Sequence, residues 1–143
     1  MTPEVAHFVE EMEAYGTAAG LPRSMARVLG YLTVCEPPEQ TASDIQAALG
    51  LSAGSVSSAV SNLVRTELID RVRRPNDRQY YYLVKPDSWK RSLLRSFRAV
   101  DHGVAIAENG LKSMPGNVRL KAMRDMYIFF SNEFDRLEKY LSK

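Results

Sequence analysis

Apolar residues recur three and four apart in six stretches of the chain and alternate in one, so the pattern predicts six helices and a hairpin. Val5, Phe8, Met12 and Tyr15 line one face of a first helix from about Glu4 to Ala18, with Glu4, Glu10, Glu11 and Glu13 elsewhere on its surface. Thr2 is its expected N-cap, Pro3 suits the first helical position, and Gly20 ends it. Pro22 opens a second helix whose stripe is Met25, Val28, Leu29 and Leu32, and "EPPEQ" breaks it because neither proline continues a helix. Thr41 caps a short third helix, with Asp44 three residues on and Gly50 as the left-handed residue that closes it. Ser52 caps a fourth, running to about Thr66, with Val56, Ala59, Val60 and Leu63 facing inward. In "LIDRVRRPNDRQYYYLV" two β-prone runs flank the turn residues of "RPND". Pro86 then starts a long helix through Trp89, Leu93, Phe97, Val100, Val104, Ala107 and Leu111, which "MPGN" interrupts. The last helix steps 3-4-3-4-3-4 through Leu120, Met123, Tyr127, Phe130, Phe134, Leu137 and Leu141.

The expected fold class is therefore mainly α with a small β-hairpin. Helix, tight Gly turn, helix and then a hairpin is the order of a winged helix-turn-helix. Residues 21–85 form that unit, residues 1–20 a separate N-terminal helix, and residues 86–143 the long C-terminal helices. The heptad seam of the last helix, with Ile128, Phe129 and Tyr140 beside it, is wider than one neighbouring helix needs. Homodimerisation is the expectation, through Val5, Phe8 and Met12 of the first helix and Leu120, Met123, Tyr127, Phe130, Phe134, Leu137 and Leu141 of the last. The competing use of the seam is burial against the chain's own first helix.

The fourth helix carries the most telling polar face. Gly54, Ser58, Ser61 and Arg65 point away from its apolar side, flanked by Ser55, Ser57 and Asn62. A solvated helix ordinarily covers that side with long charged residues. Small hydroxyls let another surface approach the backbone closely, and Ser and Asn both donate and accept hydrogen bonds, as phosphates and base edges require. The charge distribution sharpens the picture. Net charge is only +2, but residues 71–98 hold nine bases (Arg71, Arg73, Arg74, Arg78, Lys85, Lys90, Arg91, Arg95, Arg98) against Asp77 and Asp87. Four of those arginines surround the hairpin tip, where a narrow minor groove attracts arginine. An ion pair from Asp77 to Arg74 or Arg78 is expected to steady the tip. The partner this arrangement suits is double-stranded DNA.

"ASDIQAALGLSAGSVSSAVSNLVRTELIDRV" followed by "PNDRQYYYLV" resembles the winged-helix domain of MarR-type transcriptional regulators. The lead-in "GLPRSMARVLGYLTVCEPPEQ" resembles more narrowly the GbsR-like branch, where a Gly-x-Pro-Arg opening and an Arg four residues later begin the second helix, here Arg23 and Arg27. The likeness is close over about residues 18–84 and extends elsewhere only as helix order. It implies a dimer with interleaved terminal helices, a recognition helix at 52–65 and a wing at 73–78. It also implies a ligand-responsive regulator, a repressor, on a near-palindromic operator. Ser55, Ser57, Ser58, Ser61 and Asn62 would meet the groove floor, Thr41, Ser52 and Arg65 would hold phosphates, and Arg73, Arg74, Asn76 and Arg78 would form the wing contacts. Relatives often carry a basic residue where Ala53 and Ser61 stand, so this chain is expected to lean more on its wing. A small-molecule effector is implied, with Trp89, Phe97 and Tyr127 as candidate pocket residues. Core packing is the plainer reading of those rings.

Other chemistry is sparse. Cys35, the single cysteine, ends an apolar helix face and is expected to be a buried inert thiol. A Cys35 thiol or metal sensor is the remote alternative. His7 and His102 have no partners at metal-ligand spacing. "GSVSS" lacks the second glycine of a nucleophile elbow, and no phosphate loop or dinucleotide fingerprint occurs, so neither an enzyme nor a bound cofactor is expected. No apolar run approaches the length of a membrane span, and the N-terminal stretch has neither the basic start nor the apolar block of an export signal, so a cytoplasmic protein is expected. The alternative from another class is a winged helix whose serine face docks a protein and binds no specific DNA.

Overall fold

The computed structural model describes residues 1–142 and holds six helices and one hairpin. These are α1 (Pro3–Ala18), α2 (Arg23–Val34), α3 (Ala42–Leu49), α4 (Ala53–Arg65), β1 (Asp70–Arg73), β2 (Tyr80–Leu83), α5 (Ser88–Ser113) and α6 (Val118–Leu141). The chain divides into two compact units, Met1–Trp89 and Lys90–Lys143. The mainly helical fold with an antiparallel two-stranded hairpin is the one the pattern predicts. The first unit holds α1 together with α2, α3, α4 and the hairpin.

In the first unit, α2 is the central helix. Its predicted stripe of Met25, Val28, Leu29 and Leu32 is buried together with Ile45 of α3 and Val56, Ala59, Val60 and Leu63 of α4. α1 crosses α2 closely. A Cβ on Gly16 would stand 2.7 Å from the Ala26 Cβ, and one on Gly30 would stand 2.8 Å from the Met12 Cβ. Two glycines, one on each helix, thus set the spacing. Glu13 joins the same two helices by accepting from Arg23 and from Arg27 Nη1 at 2.7 Å. The α1 stripe differs from the expected one. Val9 and Gly16 are its buried positions, Val5 and Met12 pack partly against the core, and Tyr15 is 71% exposed. The helix turns its glycine inward, and a pattern counted on apolar side chains passes over a glycine.

One further rung lies on the other side of β2 from β1. Gln40, just before α3, donates its N–H to the Tyr82 carbonyl at 3.0 Å and accepts the Tyr82 N–H at 2.8 Å. Its side chain is buried, accepting from the Tyr31 hydroxyl at 2.9 Å and donating to the Pro37 carbonyl at 2.8 Å. The hairpin is therefore tied at its base to the α2–α3 connection.

In the second unit, α5 and α6 meet through aromatic rings. Phe97 and Phe134 stack with centroids 4.1 Å apart, Tyr127 lies so close over Gly103 that any Cβ there would clash, and Asp101 accepts from Ser131. The heptad seam does not act as one strip. Leu120, Tyr127 and Phe134 are part-buried toward α5, whereas Phe130 and Leu137 are exposed, and Met126, Phe129 and Tyr140 extend that exposed apolar stripe. On α5, Phe97 and Ala107 are buried but Leu93 is 49% exposed.

Candidate nucleic-acid interface

The local signals that start and stop α3 and α4 are all used. The Thr41 hydroxyl accepts the Asp44 N–H at 3.1 Å while the Asp44 carboxylate accepts the Thr41 N–H at 2.9 Å, a reciprocal capping box. Gly50 closes α3 with φ of 64°, and the Ser52 hydroxyl accepts the Ser55 N–H at 3.1 Å. The two helices meet at 117°. That angle and the short Gly turn between them are those of a helix-turn-helix.

Burial of Val56, Ala59, Val60 and Leu63 fixes which side of α4 faces out. Ser52, Gly54, Ser57, Ser58, Ser61 and Arg65 are exposed, and Ser55 and Asn62 lie at the border. A Cβ on Gly54 would meet nothing within 4 Å, so no packing within the chain demands a glycine there. The thin face is not covered by another element of the first unit. Arg65 donates to the Asn62 side-chain oxygen at 2.6 Å, which places both at the C-terminal end of that face.

The hairpin pairs Arg73 with Tyr80 and Arg71 with Tyr82, so these four side chains share one side of the ribbon. The Arg71 guanidinium lies 4.3 Å from the Tyr80 ring centre and that of Arg73 lies 5.2 Å from it. A small cleft of about 100 Å³ is lined by Val60, Ser61, Val64, Arg71 and Tyr82. Arg71 therefore stands beside the outer face of α4. The sequence reading left it out of the candidate contacts; its pairing opposite Tyr82 was the available signal.

The tip is a tight turn with Pro75 and Asn76 at its centre. Asn76 takes φ of 60°, and the Asp77 N–H returns to the Arg74 carbonyl at 3.1 Å. Asn76 thus serves the turn by tolerating the left-handed region. Asp77 turns inward, accepting the Gln79 N–H at 2.8 Å and the Tyr81 hydroxyl at 2.8 Å. The backbone N–H of Gln79 first, and the Tyr81 hydroxyl second, hold its carboxyl below the usual carboxylate range. The predicted ion pair from Asp77 is replaced by another. Arg74 donates to Glu39 through Nε at 3.1 Å and Nη2 at 2.9 Å, and its guanidinium lies 3.9 Å from the Tyr81 ring centre. The short Asx turn occupies Asp77, and the Gln40–Tyr82 rung carries Glu39 to Arg74. Arg73 and Arg78 are exposed.

The remaining candidate residues are dispersed. Phe97 is packed in the α5–α6 aromatic stack and Tyr127 covers Gly103, while Trp89, 44% exposed, belongs to the other unit. His7 and His102 are exposed, and among the described residues no group of three or more His, Cys, Asp or Glu is placed to hold a metal ion. No single helix is long and apolar enough to cross a membrane. Cys35 is buried, with burial pushing its thiol up to about 11. At pH 8 only about one thiol in a thousand would then be ionised, so alkylation by iodoacetamide is expected to be slow in the folded protein and fast in denaturant. Equal rates in both states would show the thiol to be open.

Residues 19–79 match the sequence model of the MarR family. The winged helix is thus similar to those of the MarR family. The HTH-type transcriptional regulator MmpR5 of Mycobacterium tuberculosis (strain ATCC 25618 / H37Rv) is 29% identical over 144 residues, spanning 96% of this chain and 87% of its own. The crystal structure of a transcriptional regulator aligns with a TM-score of 0.86 at 28% identity, covering 99% of this chain and all of that one. Both relatives are named as transcriptional regulators, in agreement with the expectation that this chain is not an enzyme.

Proposed function

We propose that the protein is a DNA-binding transcriptional regulator that works in the cytoplasm as a homodimeric repressor on a near-palindromic operator. The observation that carries this reading is the exposed face of α4, small, hydroxylic and uncharged up to Arg65, standing next to a hairpin with Arg71, Arg73 and Arg78 on its surface. Ser55, Ser57, Ser58, Ser61 and Asn62 meet the floor of a major groove. Thr41, Ser52 and Arg65 take phosphates, as Ser52 and Thr41 sit where helix N-termini offer N–H groups to an anion. The wing lies along the adjacent minor groove with Arg73 and Arg78 as its cations and Asn76 at its tip. A second copy of the chain covers the exposed stripe of Met126, Phe129, Phe130, Leu137 and Tyr140. A small-molecule effector controls binding by changing the spacing of the two winged helices. Arg23 and Arg27 support a place in the GbsR-like branch, and here both serve to clamp α1 to α2 through Glu13.

Selection of bound duplexes from a random pool tests the reading. An inverted repeat is expected, with half-sites about one helical turn (~34–36 Å) apart or a multiple of it. A pool that stays unenriched, with only weak binding at low salt, would favour a protein-docking module instead.

A further inference from the structure

Arg74 stands at the start of the wing's turn, where a phosphate contact would be natural, yet its charge is already engaged within the molecule. We propose that Glu39 is the positioning residue of the wing: it holds Arg74 against the body of the fold, so that Arg74 sets where the tip stands and leaves the phosphates to Arg73 and Arg78. The inference rests on the DNA-binding reading and deepens it.

Arg74 is held on two sides. Two of its donors go to one Glu39 oxygen, at 3.1 and 2.9 Å, and its flat face lies 3.9 Å from the Tyr81 ring centre. Tyr81 in turn donates at 2.8 Å to Asp77, whose other oxygen closes the turn on the Gln79 N–H. The tip, Tyr81 and Arg74 are thus one connected set. Its outside anchor is rigid as well. Glu39 precedes Gln40, which makes both backbone bonds to Tyr82 and whose buried amide is held between the Tyr31 hydroxyl and the Pro37 carbonyl. The Glu39 backbone therefore cannot shift without breaking the rung at the base of the wing. Arg73 and Arg78 differ. Both are exposed, and Arg73 lies beside the Tyr80 ring, 5.2 Å from its centre.

The pairing has an electrostatic consequence. A carboxylate 2.9 Å from the guanidinium makes the pair nearly neutral to a phosphate beyond it. Only cations that neutralise phosphates release counterions, and each one contributes about 0.9 to the slope of log K against log salt. Arg74 therefore adds nothing to that slope while Glu39 is present, and adds about one once Glu39 is neutralised and the guanidinium is free to turn outward.

The test is a fluorescence-anisotropy titration of the full chain against a mixed-sequence duplex over a range of salt, for wild type, Arg78→Ala, Arg74→Ala, Glu39→Gln and the Glu39→Gln/Arg74→Ala pair. Arg78→Ala should flatten the slope by about one unit. Arg74→Ala should weaken binding several-fold with no change in slope. In the Glu39→Gln background the same Arg74→Ala change should flatten the slope by about one. A merely structural role for Arg74 would not make its slope effect depend on Glu39. All five proteins should melt together, since Glu39 and Arg74 lie outside the core. A flatter slope for Arg74→Ala with Glu39 in place overturns the inference and leaves the DNA-binding reading standing. A wild-type chain without salt-dependent binding overturns both.

Discussion

Ser58→Glu is expected to reduce duplex affinity at least ~100-fold without disturbing the fold, since like charges brought together at an interface cost several kcal/mol. Ser58 is exposed in the middle of the α4 outer face, between Gly54 and Arg65, with the buried Ala59 and Val60 beginning on the opposite side. A glutamate there adds a negative charge where phosphates would lie. It also lengthens the side chain on a face that otherwise holds hydroxyls and a glycine with open space above it. The helix itself should tolerate the change, because Glu has the better helix propensity. An unchanged melting temperature beside the lost affinity is the expected pair of results. Ser58→Ala is the companion variant. It keeps the face thin and uncharged, so it should alter sequence preference and cost far less affinity. Wild-type affinity in the Glu variant, measured on the duplex recovered by selection, would mean that α4 does not enter a groove.

That α4 face was legible in the sequence because it depends on local signals. Thr41 with Asp44, Gly50, and Ser52 with Ser55 each act within three or four residues, and the structure uses every one of them. The Pro75–Asn76 turn is local in the same sense. The features that were not legible depend on distance or on glycine. Gly16, Gly30 and Gly103 set helix spacings, yet glycine contributes nothing to a hydrophobic period. Tyr15, which the period placed inside, is consequently exposed. Glu39 and Arg74 are 35 residues apart and meet only because Gln40 pairs with Tyr82. No spacing rule links a loop carboxylate to one arginine among the four around the tip. The nearest acid in sequence, Asp77, was the natural choice, and it is occupied by its own turn. The Cys35 reading fared better because burial at the end of an apolar stripe is again a local inference.

Placing glutamates at both Phe129 and Leu137 is expected to convert a dimer into monomers. The 3-4 repeat of α6 gave one seam, but the helix separates its apolar residues into two rows. Tyr127 and Phe134 are engaged by Gly103 and Phe97 of α5, and that row holds the helical pair together. Phe129 at 59% and Leu137 at 48% exposure belong to the other row, with Met126, Phe130 and Tyr140. In a monomer both substitutions face water and should cost little. In a two-fold dimer each appears twice, so four carboxylates would be buried against apolar partners, and a buried unpaired charge is far more costly than the lost apolar area. Sedimentation at micromolar concentration should therefore show a single species of half the mass, with helical content retained. The functional effect should be larger than the loss of either contact. Two linked recognition helices bind a two-site operator more tightly than one by roughly 10²–10⁴, so the variant should lose about that factor on the full operator and almost nothing on a single half-site. A Phe97→Ala control should behave differently, loosening the α5–α6 stack and lowering the melting temperature through a cavity, at a cost of about 3–5 kcal/mol. If the double glutamate variant stays dimeric, the exposed row is not the subunit interface and a different surface must join the two copies.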